Sequence, residues 1–167
     1  MGVQFQCITK ETPECYPEMP LKKVAGYLSR QKSLAFNDDE LPENYLLITA
    51  DTVVIAENEI LGKPADRKDA LRMLCLLSGK THVVVTGVTL RSKEKMKTFS
   101  ASSSVTFATI DPEEMAYYVD HYRPFDKAGA YGIQEWIGYV GISGLRGSFY
   151  NVMGLPTQRL YNALKNY

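Results

Sequence analysis

Apolar positions at first alternate along this chain, with Val3, Phe5 and Ile8 spaced as in a short strand, before a polar stretch rich in Glu and Pro. Leu21, Val24, Ala25 and Leu28 then fall at i, i+3, i+4 and i+7, which predicts an amphipathic helix reaching Ala35. After a charged loop, the run Tyr45-Leu-Leu-Ile48 leads through Asp51 into β-branched Val53 and Val54, a strand apolar on both faces. A second helix is predicted after Asp66, with Ala70, Met73, Leu74 and Leu77 inward and Gly79 at its C-terminal cap. Two β-rich runs, 82–90 and 99–107, flank the charged tip Lys93-Glu94-Lys95 and read as a long antiparallel hairpin. Its second arm is polar at alternate residues and is expected to face water on one side. Asp111-Pro112-Glu113-Glu114 is a helix start, followed by the stripe Met115, Tyr118, Val119 and Tyr122. Residues 137–143 and 148–152 read as two further strands, and Pro156 opens a last helix with Leu160 and Leu164 inward. Interleaved strands and helices around one hairpin predict a single α/β domain over residues 1–167, with a mixed sheet and flanking helices.

Composition narrows the function classes. Lys+Arg and Asp+Glu are both 19, so no net charge favours nucleic acid or an anionic membrane surface. No stretch is long and apolar enough to read as a membrane span or a leader, and Cys7, Cys15 and Cys75 lack CxxC spacing. These features fit free thiols in a cytoplasmic protein.

The candidate chemistry begins with Asp51, a carboxylate inside an otherwise apolar strand, where it needs partners or a metal. A strand-end turn is the alternative reading. Lys63 is held in the turn Gly62-Lys63-Pro64, and Asp126-Lys127 stands among small residues eight positions ahead of Gln134. Carboxylates with lysines suit phosphoryl chemistry, supplying oxygen ligands to a divalent cation and positive charge to phosphate oxygens. They also occur as solvated ion pairs. No Walker A loop, GxGxxG, HExxH or GxSxG is present. Most of the tyrosines and Trp136 are expected in core or interface packing, and His82 in a structural role.

Taken together, Ala50-Asp51-Thr52-Val53-Val54, Leu61-Gly62-Lys63-Pro64, Ser78-Gly79, Thr86-Gly87-Val88, 126–134 (Asp-Lys-Ala-Gly-Ala-Tyr-Gly-Ile-Gln) and Gly154-Leu155-Pro156 resemble the successive motifs of the Maf family. That resemblance implies an inosine triphosphatase-like α/β fold and a homodimeric nucleoside triphosphate pyrophosphatase using Mg²⁺ or Mn²⁺. The family was named for an effect on septum formation. By the same resemblance Asp51 is the proton acceptor, and Lys32 and Lys63 are phosphate-site lysines. Glu14, Asp126 and Asp51 are the implied metal ligands, and Thr52 and Gln134 the pocket residues of a subgroup acting on dTTP and UTP. The family's opening strand and Ser-x-Ser-Pro-Arg-Arg loop have no counterpart here, the chain beginning near the end of the family's first helix. A non-catalytic nucleotide-binding or division-regulating protein is therefore the second expectation.

Overall fold

The computed structural model describes residues 2–167. A five-stranded sheet of order β2-β1-β3-β4-β5 forms its middle layer. Its strands are β1 (Leu47–Ala56), β2 (Glu59–Leu61), β3 (Thr81–Arg91), β4 (Met96–Phe107) and β5 (Ile142–Arg146). Helix α1 (Leu21–Leu34) covers one face. The other face carries α2 (Arg67–Leu77), α3 (Pro112–Tyr122) and the short helices α4 (Trp136–Val140) and α5 (Phe149–Met153), with α6 (Thr157–Lys165) beyond.

The period-2 pattern sorts side chains between the layers. Val53 and Val85 pack with Val24, Ala25 and Leu28 of α1, whereas their neighbours Val54 and Val84 join the larger core with Leu74, Met115 and Tyr118. The hairpin β3–β4 runs in register from Thr81↔Thr106 to Arg91↔Met96, with the charged tip as expected. On β4, Ala101, Ser103, Val105 and Phe107 are buried, and the intervening serines are partly or fully exposed.

The helix starts follow from the predicted caps. Asp66 accepts from the Asp69 N–H at 2.8 Å, and Asp111 and Glu114 form a capping box at α3. One glycine decides how α1 lies on the sheet. A Cβ on Gly87 of β3 would stand 2.3 Å from the Ala25 carbonyl carbon, so helix and strand backbones are in direct contact there.

Four expectations change. Val3, Phe5 and Ile8 lie in irregular chain and are exposed, having no described strand to pair with. The sheet is antiparallel in all four described pairings rather than mixed. Segment 137–143 is the helical turn α4 leading into β5, and segment 148–152 lies in α5. Ser148 caps α5 by accepting from the Asn151 N–H at 3.2 Å, and Glu135 and Gly138 close successive turns at α4. Such short apolar runs carry no periodicity that separates strand from helix. Finally, Tyr122 of the expected α3 stripe is exposed.

Candidate active site

A cleft of about 580 Å³ opens beside the middle of β1 and is lined by all seven residues singled out from the sequence: Glu14, Lys32, Asp51, Thr52, Lys63, Asp126 and Gln134. Five separate stretches of chain supply them. Successive residues of β1 point to opposite faces, yet Asp51 and Thr52 both line this cleft. Strand β2 pairs with β1 only at Val54–Ala56, so the cleft reaches past the strand edge at Asp51 and Thr52 to both faces.

On the α1 face the charged groups form a chain. Lys32, in the last turn of α1, donates to the buried Asp51 carboxylate, and its Nζ also lies 4.0 Å from Glu14 Oε1. The same Glu14 oxygen accepts from Lys63 at 2.6 Å. Burial pushes the Asp51 carboxyl above its usual pKa, against the opposing pull of Lys32. The Lys63 ammonium holds Glu14 below its usual value, and Glu14 in turn raises Lys63. Two carboxylates of unlike basicity thus converge on one ammonium.

On the opposite face, the Thr52 hydroxyl meets that of Thr86 at 2.8 Å, and Thr86 contacts the Asn151 carbonyl of α5, also at 2.8 Å. Asp126 stands on another wall, where its ion pair with Lys127 (2.8 Å) keeps its carboxyl below the usual range. Lys127 also reaches Glu135 at 3.2 Å, and Glu135 accepts the hydroxyl proton of buried Tyr118. Tyr118 accepts in turn from the Gly132 N–H at 3.0 Å. This network ties both ends of segment 126–135 to α3.

No sequence signal assigns Tyr118, Thr86, Asn151 or Glu135 to this site, although Thr86 stands in one of the family-like motifs. Tyr118 is expected in the buried stripe of α3, and it does lie in the core. Nothing in the sequence signals that its hydroxyl faces an acid 17 positions away. His82 is buried as expected for a structural residue, with Nε2 2.8 Å from the Tyr131 hydroxyl and burial lowering its pKa to about 4.

No group of three or more His, Cys, Asp or Glu that could hold a metal ion occurs among the described residues. Glu14 and Asp51 nonetheless meet at the Lys32 ammonium, a cation of the protein's own. Such a two-carboxylate site fits a hard cation whose remaining ligands are substrate phosphates and water, the arrangement Mg²⁺ prefers. Asp126 lies with them in the cleft, with Lys127 as its ion-pair partner.

A dTTP/UTP pyrophosphatase of Porphyromonas gingivalis is 50% identical over 171 residues, covering 99% of this chain and 86% of the relative. A dTTP/UTP pyrophosphatase of Bacteroides fragilis is 49% identical over 167 residues, again with 86% of the relative covered. One from Flavobacterium psychrophilum is 44% identical over 168 residues. The family described as Maf-like protein matches residues 1–167, and the chain belongs to that family.

Proposed function

We propose that this protein is a nucleoside triphosphate pyrophosphatase acting on dTTP and UTP. The observation that carries the reading is the convergence of Asp51, Glu14, Lys32 and Lys63 on one side of a cleft that holds Thr52 and Gln134 on another. The names of relatives half identical over nearly the whole chain support the same substrate class.

In this reading the triphosphate lies along the lysines, whose charges offset those on its oxygens. A water oxygen adds to the α-phosphorus, the bond from that phosphorus to the bridging oxygen breaks, and pyrophosphate leaves. The water's proton passes to Asp51, whose raised pKa makes it a better base than an exposed aspartate. A bound Mg²⁺ or Mn²⁺ supplies further neutralisation of phosphate charge. Glu14 and Asp51 would hold it, with Asp126 elsewhere in the same cleft. Thr52 and Gln134 contact the pyrimidine edge.

The protein acts as a single domain in this reading, in the cytoplasm, and as a homodimer. Exposed Phe149 and Tyr150 of α5, whose rings meet edge to face, offer apolar area for self-association. No helix among the described residues is long and apolar enough to cross a membrane.

The test is pyrophosphate release from dTTP, UTP, CTP, GTP and 7-methyl-GTP, with Mg²⁺ or Mn²⁺ and again with chelator. Release from dTTP and UTP that chelator stops is the expected result, and silence across the panel refutes the reading. Asp51→Asn is expected to abolish turnover while leaving the fold intact; retained turnover removes Asp51 from the role of base.

A further inference from the structure

We propose that buried Thr86 is a positioning residue that fixes the Thr52 hydroxyl as a hydrogen-bond acceptor, and so selects uracil or thymine over cytosine. The inference rests on the reading above for the base lying beside Thr52.

The argument is a count of protons. Thr86 is fully buried in β3, directly opposite Thr52 of β1, and does not line the cleft. Its Oγ1 lies 2.8 Å from the Asn151 main-chain oxygen and 2.8 Å from Thr52 Oγ1. A carbonyl oxygen only accepts, so the single Thr86 hydroxyl proton is directed at Asn151. The contact between the two threonines then requires Thr52 to donate. That uses the only proton of the Thr52 hydroxyl, and what it has left to offer the cleft is lone pairs.

The far end of this relay is held firmly. The Asn151 side-chain amide donates to the Val84 carbonyl at 3.1 Å and to Ser103 Oγ at 3.0 Å, and its own N–H donates to Ser148 Oγ at 3.2 Å. Its main-chain oxygen also accepts from the Gly154 N–H at 3.1 Å, so both lone pairs of that carbonyl have partners. The relay cannot reverse without leaving two oxygens 2.8 Å apart with no proton between them. Gly154 lines the cleft beside Thr52, and even a Cβ there would remain 3.6 Å from Thr52 Oγ1, so the hydroxyl stays accessible.

An acceptor of fixed polarity distinguishes the pyrimidines when it faces ring N3, the pose this inference adopts, since at the neighbouring exocyclic position cytosine is the donor and uracil the acceptor. Uracil and thymine present a ring N3–H donor, whereas cytosine presents a lone pair at N3. Facing a lone pair, Thr52 would leave two acceptors opposed, and a free hydroxyl that could turn to donate is denied it by Thr86.

The experiment measures the affinities of UMP and CMP, which differ in the base and are not hydrolysed, by titration calorimetry with the full chain. The wild type is expected to prefer UMP. Thr86→Val keeps the shape and removes the hydroxyl, freeing Thr52 to donate or accept, and is expected to reduce the CMP/UMP Kd ratio about tenfold, the effect of one hydrogen bond. Thr86→Ser restores the hydroxyl and the ratio. A merely structural role would weaken both ligands equally and leave the ratio unchanged, which overturns the proposal. So does a wild type that binds UMP and CMP alike. Should Thr86→Val fail to fold, Thr52→Val removes the acceptor directly, and an unchanged ratio there has the same force. A wild type that prefers UMP but releases no pyrophosphate from UTP would refute the catalytic reading and leave this one standing.

Discussion

Gly87 does not itself line the cleft, but it pairs with Asp51 across β1 and β3 and lets α1 lie against the sheet there. Adding one methyl group, as in Gly87→Ala, places a carbon 2.3 Å from both the Ala25 carbonyl carbon and the Gly26 nitrogen. Ordinary carbon contacts lie at about 3.5–4.0 Å, so α1 must retreat by roughly 1 Å or more. The obstacle is helix backbone, so no side-chain rotation relieves it. Overpacking of this kind costs about 1–3 kcal/mol. For a domain of 150–250 residues each kcal/mol lowers Tm by about 2–4 °C, so a fall of about 4–8 °C is expected at the middle of that range. The functional effect is larger, because α1 carries Lys32, and its ion pair with Asp51 depends on the distance from helix to sheet. A 1 Å misplacement of a catalytic group can cost about 10²-fold in rate. Thermal unfolding and pyrophosphate release from UTP, measured on the same preparation, test both parts. A Gly87→Ala protein with unchanged Tm and full turnover would refute the account of how Lys32 is positioned.

Two further predictions concern groups that the cleft does not expose directly. His82 is neutral in the fold, its pKa lowered from an ordinary 6.5 to about 4 by burial. The unfolded chain therefore binds the proton first, and stability present above pH 6.5 is lost as pH falls towards 4. The linked contribution is at most about 3 kcal/mol, and acid unfolding of His82→Gln is expected to be flatter across that window. An unchanged slope would remove His82 from the account. Glu135→Gln weakens the charge that Lys127 and the Tyr118 hydroxyl share, loosening segment 126–135, and is expected to raise KM for UTP more than it lowers kcat. Unaltered KM would show that the segment is held by its apolar contacts alone.

Local chemistry made much of this protein legible from its residues in order. Asp66 and Asp111 announce helix starts because capping is settled within a single turn, and the charged tip 93–95 marks the hairpin because a strand reversal there is local too. Asp51, Lys63, Asp126 and Gln134 are legible from the residues themselves, and Glu14, Lys32 and Thr52 from motif resemblance; all of them line one cleft. Tertiary structure alone decided the rest. Residues 137–143 and 148–152 are too short for their pattern to distinguish strand from helix, and the caps and packing partners settled the matter. That Asp51 and Thr52 serve opposite faces of the sheet within the same cleft depends on where β2 stops pairing. The proton relay through Thr86 to Asn151 joins positions 65 apart, and the Tyr118–Glu135 contact joins a helix to a loop. A sequence specifies nearest neighbours through backbone geometry. Contacts of this range are fixed only when the layers pack and each buried hydroxyl must find a partner.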